Sequence, residues 1–250
     1  MIPNSFRQKG GAPAPGAAPG ARGPFGFRPA QDSGLEPFDS ASLDPGGVVA
    51  VAVDVEVLVS VRRDACIDAL AEALGVSWWR VREAVRGSGL EGELEAGRLG
   101  AVELVRAVCA ELGVRGVDGD GVRAAWSCAA GAVDGQLAAA ASGLSGRGAL
   151  VLVGGLSPWT LGAALEALDA AGVGPAPVWA TCDQGWSATD PAFYGGLLGA
   201  LGPLACRLFI AADPERVGSA EACGMRTWLH RGVEETCGKL SASAPWAARR

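Results

Sequence analysis

The sequence predicts an α/β fold in which a parallel β-sheet carries helices on both faces and a small all-helical cap is inserted after the first strand. A β-branched run over residues 48–59 predicts a buried parallel strand. Helical periodicity then extends to about residue 147. From residue 149 onward, short apolar runs alternate with helical segments, as in a parallel sheet with right-handed crossovers. Together these patterns indicate a Rossmann-like sheet.

The individual elements follow the same patterns. Helices of the cap are predicted over residues 64–75, 77–87, 97–113 and 122–141, with glycine near several of their ends. Later strands are predicted over residues 149–155, 177–183, 206–212 and 225–230, with helices between them over 157–172, 190–202 and 214–224. The α/β core is therefore expected over residues 48–62 and 148–237, and the cap over 63–147. Residues 238–250 are predicted to form a frayed C-terminal tail.

Length and composition exclude several classes of protein. The chain has 250 residues, of which 49% are hydrophobic and 19% charged, so most of it is predicted to form a packed core and not a disordered chain. No apolar run approaches the length of a transmembrane helix. The N-terminus also lacks the continuous apolar stretch of a secretory signal, so a cytoplasmic location is expected.

Residues 1–47 differ from the rest of the chain. They are rich in Pro, Gly and Ala and lack periodicity, which predicts a disordered tail. Four basic residues and no acidic ones occur in the first 30 positions, so residues 31–250 carry a net charge of −10 within a chain total of −6. An acidic body argues against a nucleic-acid partner. The basic tail is instead a candidate docking element for a protein partner, whereas no membrane contact is expected and the oligomeric state stays open.

Polar residues follow the predicted strands at their carboxyl ends, where ligands bind in open parallel sheets. The candidate site residues at this edge are Asp54, Glu56, Gly154, Gly155, Asp183, Trp186 and Asp213. The two adjacent glycines are a candidate anion-binding turn at a helix N-terminus. We expect Trp186 and Asp183 to line a cleft that suits a small, neutral or apolar ligand.

The order of these strand ends, with a helical insert directly after the first strand, resembles the haloacid-dehalogenase-like (HAD) hydrolases that carry a helical cap. The resemblance covers about residues 48–235. Its first motif falls on Asp54 and Glu56, and the second, usually Ser or Thr, falls on Gly154. The third motif, usually Lys, falls on Ala188, and the fourth, usually an acidic doublet, falls on residues 211–212, which are both Ala. The catalytic motifs are thus degenerate.

The resemblance implies roles for the residues that remain. In this family an Asp attacks phosphorus, a second acid transfers a proton, Ser/Thr and Lys bind the phosphoryl oxygens, and carboxylates bind Mg²⁺. Asp54 and Glu56 are therefore the catalytic candidates if the protein is active, and Asp54 with Asp213 are the candidate metal ligands. Lys9 and Lys239 are the only lysines of the chain. A Mg²⁺ site would be weakened, and no cofactor is predicted.

Three functions remain open from the sequence. The leading hypothesis is a pseudoenzyme that has lost phosphohydrolase chemistry and acts as a binding, regulatory or scaffold protein. The second is an enzyme of altered chemistry that uses Asp54 and Glu56 for proton transfer on a non-phosphorylated substrate. The third is a weak Mg²⁺-dependent phosphatase in which Asp213 contributes to the metal site.

Overall fold

The computed structural model describes residues 50–115, 119–201 and 206–247. The predicted N-terminal tail over residues 1–47 lies outside these ranges. The strands are β1 (Ala50–Asp54), β2 (Val59–Val61), β3 (Ala130–Val133), β4 (Leu150–Gly154), β5 (Val178–Ala180), β6 (Cys206–Ala211) and β7 (Thr227–Leu229). The helices are α1 (Val55–Leu58), α2 (Arg63–Leu74), α3 (Trp78–Arg82), α4 (Leu90–Glu95), α5 (Ala101–Leu112), α6 (Gly119–Ser127), α7 (Gly135–Ser145), α8 (Pro158–Ala170), α9 (Thr181–Gln184), α10 (Pro191–Leu201), α11 (Pro214–Ala222) and α12 (Val233–Ala247).

Five strands form one parallel sheet in the order β5-β4-β1-β6-β7, which confirms the predicted α/β class. The central strand β1 pairs with β4 on one side, where Val51 lies opposite Leu150, and with β6 on the other. Val51, Ala52 and Val53 are fully buried because helices cover both faces of this strand. A strand buried on both faces has a continuous apolar sequence, which is why β1 was recognisable.

The two faces of the sheet carry separate hydrophobic clusters. Helices α7, α8 and α12 pack on one face, with side chains such as Leu137, Leu161 and Leu240 fully buried. Helices α10 and α11 pack on the other face, where the aromatic rings of Phe193 and Tyr194 are fully buried. The crossovers therefore place helices on both sides, as the alternating pattern predicts.

Helices α2 to α6 form the cap, whose own core contains Ile67, Leu104 and Trp126. Helix α3 continues into a π-helical turn over Glu83–Gly87. The cap is joined to the core at the antiparallel pair β2 and β3. All five cap helices thus bury their apolar sides against one another.

The cap is shorter than the sequence predicts. A single helix was expected over residues 122–141, but the structure divides this stretch into α6, β3 and α7. Asp134 accepts hydrogen bonds from the N–H groups of Gln136 and Leu137 and so begins α7 at Gly135. Helix α7 then packs on the sheet with α12 and not with the cap.

Two other expectations differ from the structure. The predicted C-terminal tail is helical as far as Ala247, since α12 covers residues 233–247 and buries Leu240 in the core. The first strand ends at Asp54 instead of continuing to residue 59, because the Asp54 side chain caps the short helix α1. In the described part of the chain, no helix combines the length and apolar character needed to cross a membrane.

Candidate functional site

The carboxyl ends of the parallel strands meet at one edge of the sheet, and Asp54 is the last residue of the central strand. Its side chain is only 1% exposed. One carboxylate oxygen, Oδ1, accepts a hydrogen bond of 3.1 Å from the backbone N–H of Glu56, which fixes the turn of α1. Asp54 is therefore held rigidly below the surface of this edge.

The other carboxylate oxygen of Asp54 binds Arg216, a residue of α11. The guanidinium atom Nη1 lies 2.5 Å from Asp54 Oδ2 and also contacts Glu56 Oε2. Atom Nη2 donates a hydrogen bond of 3.2 Å to the carbonyl oxygen of Gly155. The Arg216 side chain is 7% exposed, so this cation is buried between two carboxylates and a backbone carbonyl.

Local sequence explains how Arg216 reaches this position. Asp213 ends the loop after β6 and accepts a 2.8 Å hydrogen bond from the Glu215 N–H, and Pro214 begins α11. Arg216 therefore lies in the first turn of a helix that starts directly at the edge of the sheet. Asp213 Oδ2 is 3.9 Å from Arg216 Nε, which adds a further carboxylate beside the guanidinium.

Gly155 has no side chain at the point where Arg216 lies. A Cβ atom at residue 155 would lie 2.8 Å from Arg216 Cζ and 2.7 Å from the Ala188 Cβ atom. A Cβ atom at Gly154 would lie 2.8 Å from the Leu161 methyl groups. Arg216, Ala188 and Leu161 thus fill the space beside the two glycines that the sequence predicts as an anion-binding turn.

The ion pairs extend from the sheet into the cap. Glu56 lies between Arg216 and Arg63, whose Nη2 atom is 3.0 Å from Glu56 Oε1. Arg63, the first residue of α2, also pairs with Glu95 at the end of α4. Asp54, Arg216, Glu56, Arg63 and Glu95, hereafter the charge chain, alternate in sign from β1 to the cap.

Within the charge chain, neighbouring charges shift the pKa values of Arg216, Asp54 and Glu95. Burial disfavours the charged form of Arg216, but the neighbouring Asp54 and Glu56 carboxylates outweigh this effect and raise the pKa of the guanidinium. Burial raises the pKa of Asp54, and Arg216 opposes that rise. For Glu95, burial raises the pKa while Arg63 opposes it. Arg216 is consequently a permanent cation at this edge.

The residues at the edge do not fit a Mg²⁺ ion. Both Asp54 oxygens already accept hydrogen bonds, and Asp213 caps α11. Within residues 50–115, 119–201 and 206–247, no three side chains of Asp, Glu, His or Cys are grouped to hold a metal ion. A positively charged guanidinium lies where a metal bound to Asp54 and Glu56 would sit, and like charges at that distance repel strongly. The predicted metal ligands therefore serve Arg216 and a helix cap.

Two predicted ligand residues lie apart from the charge chain. Asp183 is half-buried in the short helix α9, where burial raises its pKa, and it makes no ion pair within the described ranges. The Trp186 side chain is 39% exposed. A small pocket between cap and core, large enough for about one water molecule, is lined by residues that include Arg63, Glu95 and Thr160, but not Trp186.

Close contacts hold the cap against this edge. Gly97 has a left-handed φ of +67°, and a Cβ atom there would overlap the Cys182 carbonyl oxygen. On either side of Gly97, Thr181 Oγ1 donates to the Glu95 carbonyl at 2.6 Å, and Arg98 Nη1 donates to the Gly185 carbonyl at 3.0 Å. The cap backbone thus contacts the short helix α9 and its C-cap residue Gly185 directly.

Sequence reasoning placed Asp54 and Glu56 together but missed Arg216, Arg63 and Glu95. The available signal was electrostatic, since two carboxylates after a buried strand require a cation. From the sequence, lysine is expected only as the phosphate-binding cation at residue 188, and no counter-ion is assigned to Asp54 and Glu56. In the structure that counter-ion is Arg216, which follows the fourth strand of the sheet along the chain.

No protein-family model matches the chain, and no curated protein matches it. Solved structures do. A HAD family enzyme from Bacteroides thetaiotaomicron, in complex with magnesium and inorganic phosphate, is 14% identical, with a TM-score of 0.61 over 74% of this chain and 95% of that one. A predicted HAD-like family hydrolase from Porphyromonas gingivalis is 20% identical, with a TM-score of 0.62 over 78% and 98%. L-2-haloacid dehalogenase from Xanthobacter autotrophicus is 17% identical, with a TM-score of 0.51 over 80% and 87%.

These likenesses span 87–98% of the length of the matched structures. At such low identity they establish the architecture and not the reaction. The chain has the fold of the HAD-like hydrolases.

Proposed function

We propose that this protein is a pseudoenzyme of the HAD-like fold, which acts as a binding, regulatory or scaffold protein and does not catalyse Mg²⁺-dependent phosphoryl transfer. The observation that carries the proposal is the buried ion pair between Asp54 and Arg216. A carboxylate nucleophile needs a free oxygen aimed at the substrate and a cation that neutralises the phosphate. Here both carboxylate oxygens of Asp54 already accept hydrogen bonds, one of them from Arg216, and the Asp54 side chain is 1% exposed.

The positions around Asp54 give the same indication. Ala188 contributes a methyl group where the resemblance implies a lysine, and Gly154 has no hydroxyl group. Loss of one preorganised electrostatic group costs about 10²- to 10³-fold in rate. Several such groups are absent here, and Arg216 contacts carboxylates instead of being directed toward open solvent.

Proton transfer by Asp54 and Glu56 on a non-phosphorylated substrate is less well supported. A general acid or base must lie within hydrogen-bonding distance of the substrate. Both carboxylates contact the same nitrogen of Arg216, and Glu56 also pairs with Arg63. The adjoining pocket between cap and core has room for about one water molecule and none for a substrate of ordinary size.

Binding in this proposal takes place outside the buried edge. The basic residues within positions 1–30 and the acidic remainder of the chain make the N-terminal segment the part best suited to an acidic protein partner. Trp186, which is 39% exposed, remains the candidate contact for a small-molecule ligand.

Hydrolysis of an aryl phosphate tests the catalytic part of the proposal. Wild-type protein and the Asp54→Asn variant, purified in parallel, are assayed with and without MgCl2. We expect the wild type and Asp54→Asn to have equal rates both with and without MgCl2, since any contaminating phosphatase contributes equally to the two preparations. A Mg²⁺-dependent rate that is present in the wild type and lost in Asp54→Asn would contradict the proposal and favour a phosphatase.

If such activity is found, an Asp213→Ala variant determines whether Asp213 is part of the metal site. Loss of both the activity and any Mg²⁺-dependent thermal stabilisation would assign that role to Asp213.

A further inference from the structure

Four oxygen atoms surround the Arg216 guanidinium. Asp54 Oδ2 and Glu56 Oε2 both contact Nη1, the Gly155 carbonyl oxygen accepts from Nη2, and Asp213 Oδ2 lies 3.9 Å from Nε. Carboxylate and carbonyl oxygens are the ligands that hard divalent cations prefer. The group that these oxygens enclose is part of the protein itself.

We infer that Arg216 is a built-in cation that takes the place of a divalent metal ion at this edge, holds Asp54 and Glu56 in position, and excludes metal from the site. This inference rests on the proposed function and deepens it, because it names the side chain that would prevent Mg²⁺-dependent chemistry.

The position of the Arg216 guanidinium supports the inference that it excludes a metal ion by occupying the same space. One nitrogen atom, Nη1, touches an oxygen of each carboxylate, so a single ion bound between Asp54 and Glu56 would need the same space. On the side of Gly155, the Nη2 atom already donates a hydrogen bond of 3.2 Å to the backbone carbonyl oxygen, so the guanidinium is held in this position. Metal and Arg216 are therefore mutually exclusive occupants.

The charges around Arg216 also support the inference that its guanidinium excludes a metal ion. Asp54, Glu56 and Asp213 carry three negative charges around one guanidinium, and Arg63 neutralises part of the charge on Glu56. Removal of Arg216 leaves the Asp54 carboxylate, which is 1% exposed, without a counter-ion. The unpaired carboxylate would then take up either a cation from solvent or a proton, and metal binding by an Arg216 variant distinguishes these two outcomes.

The test is a gain of metal binding. The Arg216→Met variant removes the charge and keeps much of the side-chain volume, and the probes are MgCl2 and MnCl2. We expect its melting temperature to rise by about 5 °C at a cation concentration 100-fold above Kd. Manganese binding should also appear in its electron paramagnetic resonance spectrum. Wild-type protein and the Arg216→Lys control, which keeps a cation at residue 216, should show neither effect.

Three results would overturn the inference. The first is a folded Arg216→Met variant that binds neither ion, and the second is metal binding by the Arg216→Lys control. The third is an Arg216→Met variant that stays unfolded with and without MgCl2 while Asp54→Asn/Arg216→Met folds. Folding of Arg216→Met only in the presence of MgCl2 would support it.

If neither Met variant folds, manganese binding to the wild-type protein decides the matter. Binding would contradict exclusion by Arg216, and its absence would support it. These outcomes are separate from those of the hydrolysis assay. Asp54-dependent hydrolysis without metal binding would refute the proposed function alone.

Discussion

At the scale of single residues, the buried groups depend on one another. Arg216 contacts Asp54, Glu56 and the Gly155 carbonyl, so each neighbour offsets part of the cost of burying its charge. Removing one partner of a buried ion pair typically destabilises a protein by about 3–5 kcal/mol. Asp54 therefore has a structural reason to be present even where no catalysis depends on it.

Two buried thiols, also single-residue features, make the free energy of unfolding depend on pH. Burial raises the pKa of Cys66 and of Cys182 from 9.0 to about 12. Between these values the unfolded chain loses thiol protons that the folded protein keeps, so the free energy of unfolding falls as pH rises. We expect a contribution of about 1 kcal/mol per pH unit from each thiol.

Urea unfolding at several values between pH 9 and pH 11 measures this slope. The Cys66→Ala/Cys182→Ala variant should lose stability less steeply than the wild type over this range. Cys128→Ala is the matched control, because Cys128 is exposed and should leave the slope unchanged. Equal slopes in all three proteins would show that the buried thiols do not control alkaline stability.

The site was predicted only in part, because its residues lie far apart in the sequence. Asp54 and Glu56 follow a recognisable strand, so their position at the ligand-binding edge could be derived from local sequence. Arg216 lies 162 residues from Asp54 along the chain. No local pattern distinguishes its side chain from that of a solvent-exposed arginine in the first turn of a helix.

At the scale of elements, the contact between the cap and α9 depends on one glycine. Gly97→Ala should destabilise the protein more than Gly113→Ala, although both residues have a φ of +67°. Both changes introduce left-handed strain of about 1–2 kcal/mol. Only the Gly97 change also drives a methyl group into the Cys182 carbonyl, whereas the space at Gly113 is open.

The midpoints of urea unfolding compare the two variants. Alkylation of Cys182, followed by mass spectrometry, reports whether the cap has moved, because this thiol is buried next to the Gly97 contact. We expect faster alkylation of Cys182 in Gly97→Ala only, with exposed Cys128 as the internal reference. Equal midpoints and equal Cys182 labelling would disprove the close approach.

The elements were easier to predict than their boundaries. The sheet followed from apolar runs and from regular alternation with helices. The prediction of one helix over residues 122–141 was wrong, because an alanine-rich composition does not distinguish a helix from a short strand. The decisive interactions were the Asp134 cap and the pairing of β3 with β2, and the second of these depends on residues far away in sequence.

At the scale of the whole molecule, the N-terminal segment and the rest of the chain have net charges of opposite sign. Residues 1–30 are basic and the remainder is acidic, so the N-terminal segment can contact an acidic partner while the folded part repels it. Deletion of residues 1–47 should abolish recovery of a partner in a quantitative pull-down and leave the melting temperature unchanged, because the sequence predicts that this segment is a disordered tail.

A tail of unchanged length, in which Arg7, Lys9, Arg22 and Arg28 are replaced by serine, separates charge from length. We expect it to behave like the deletion, and higher salt should weaken recovery by the wild type. Recovery of the same partners by the deleted and complete chains would exclude the tail as the docking element.

The position of β1 at the centre of the sheet also determines the order of assembly. Val51 pairs with Leu150 in β4 and with Leu208 in β6, so both partners are synthesised about a hundred or more residues after β1. The cap helices α2 to α6 lie between β1 and β4 in sequence and pack mainly on one another. During synthesis the cap helices can therefore pack together before the strands that pair with β1 have been made. Pairing of β1 with β4 and β6 then follows as a late step of folding.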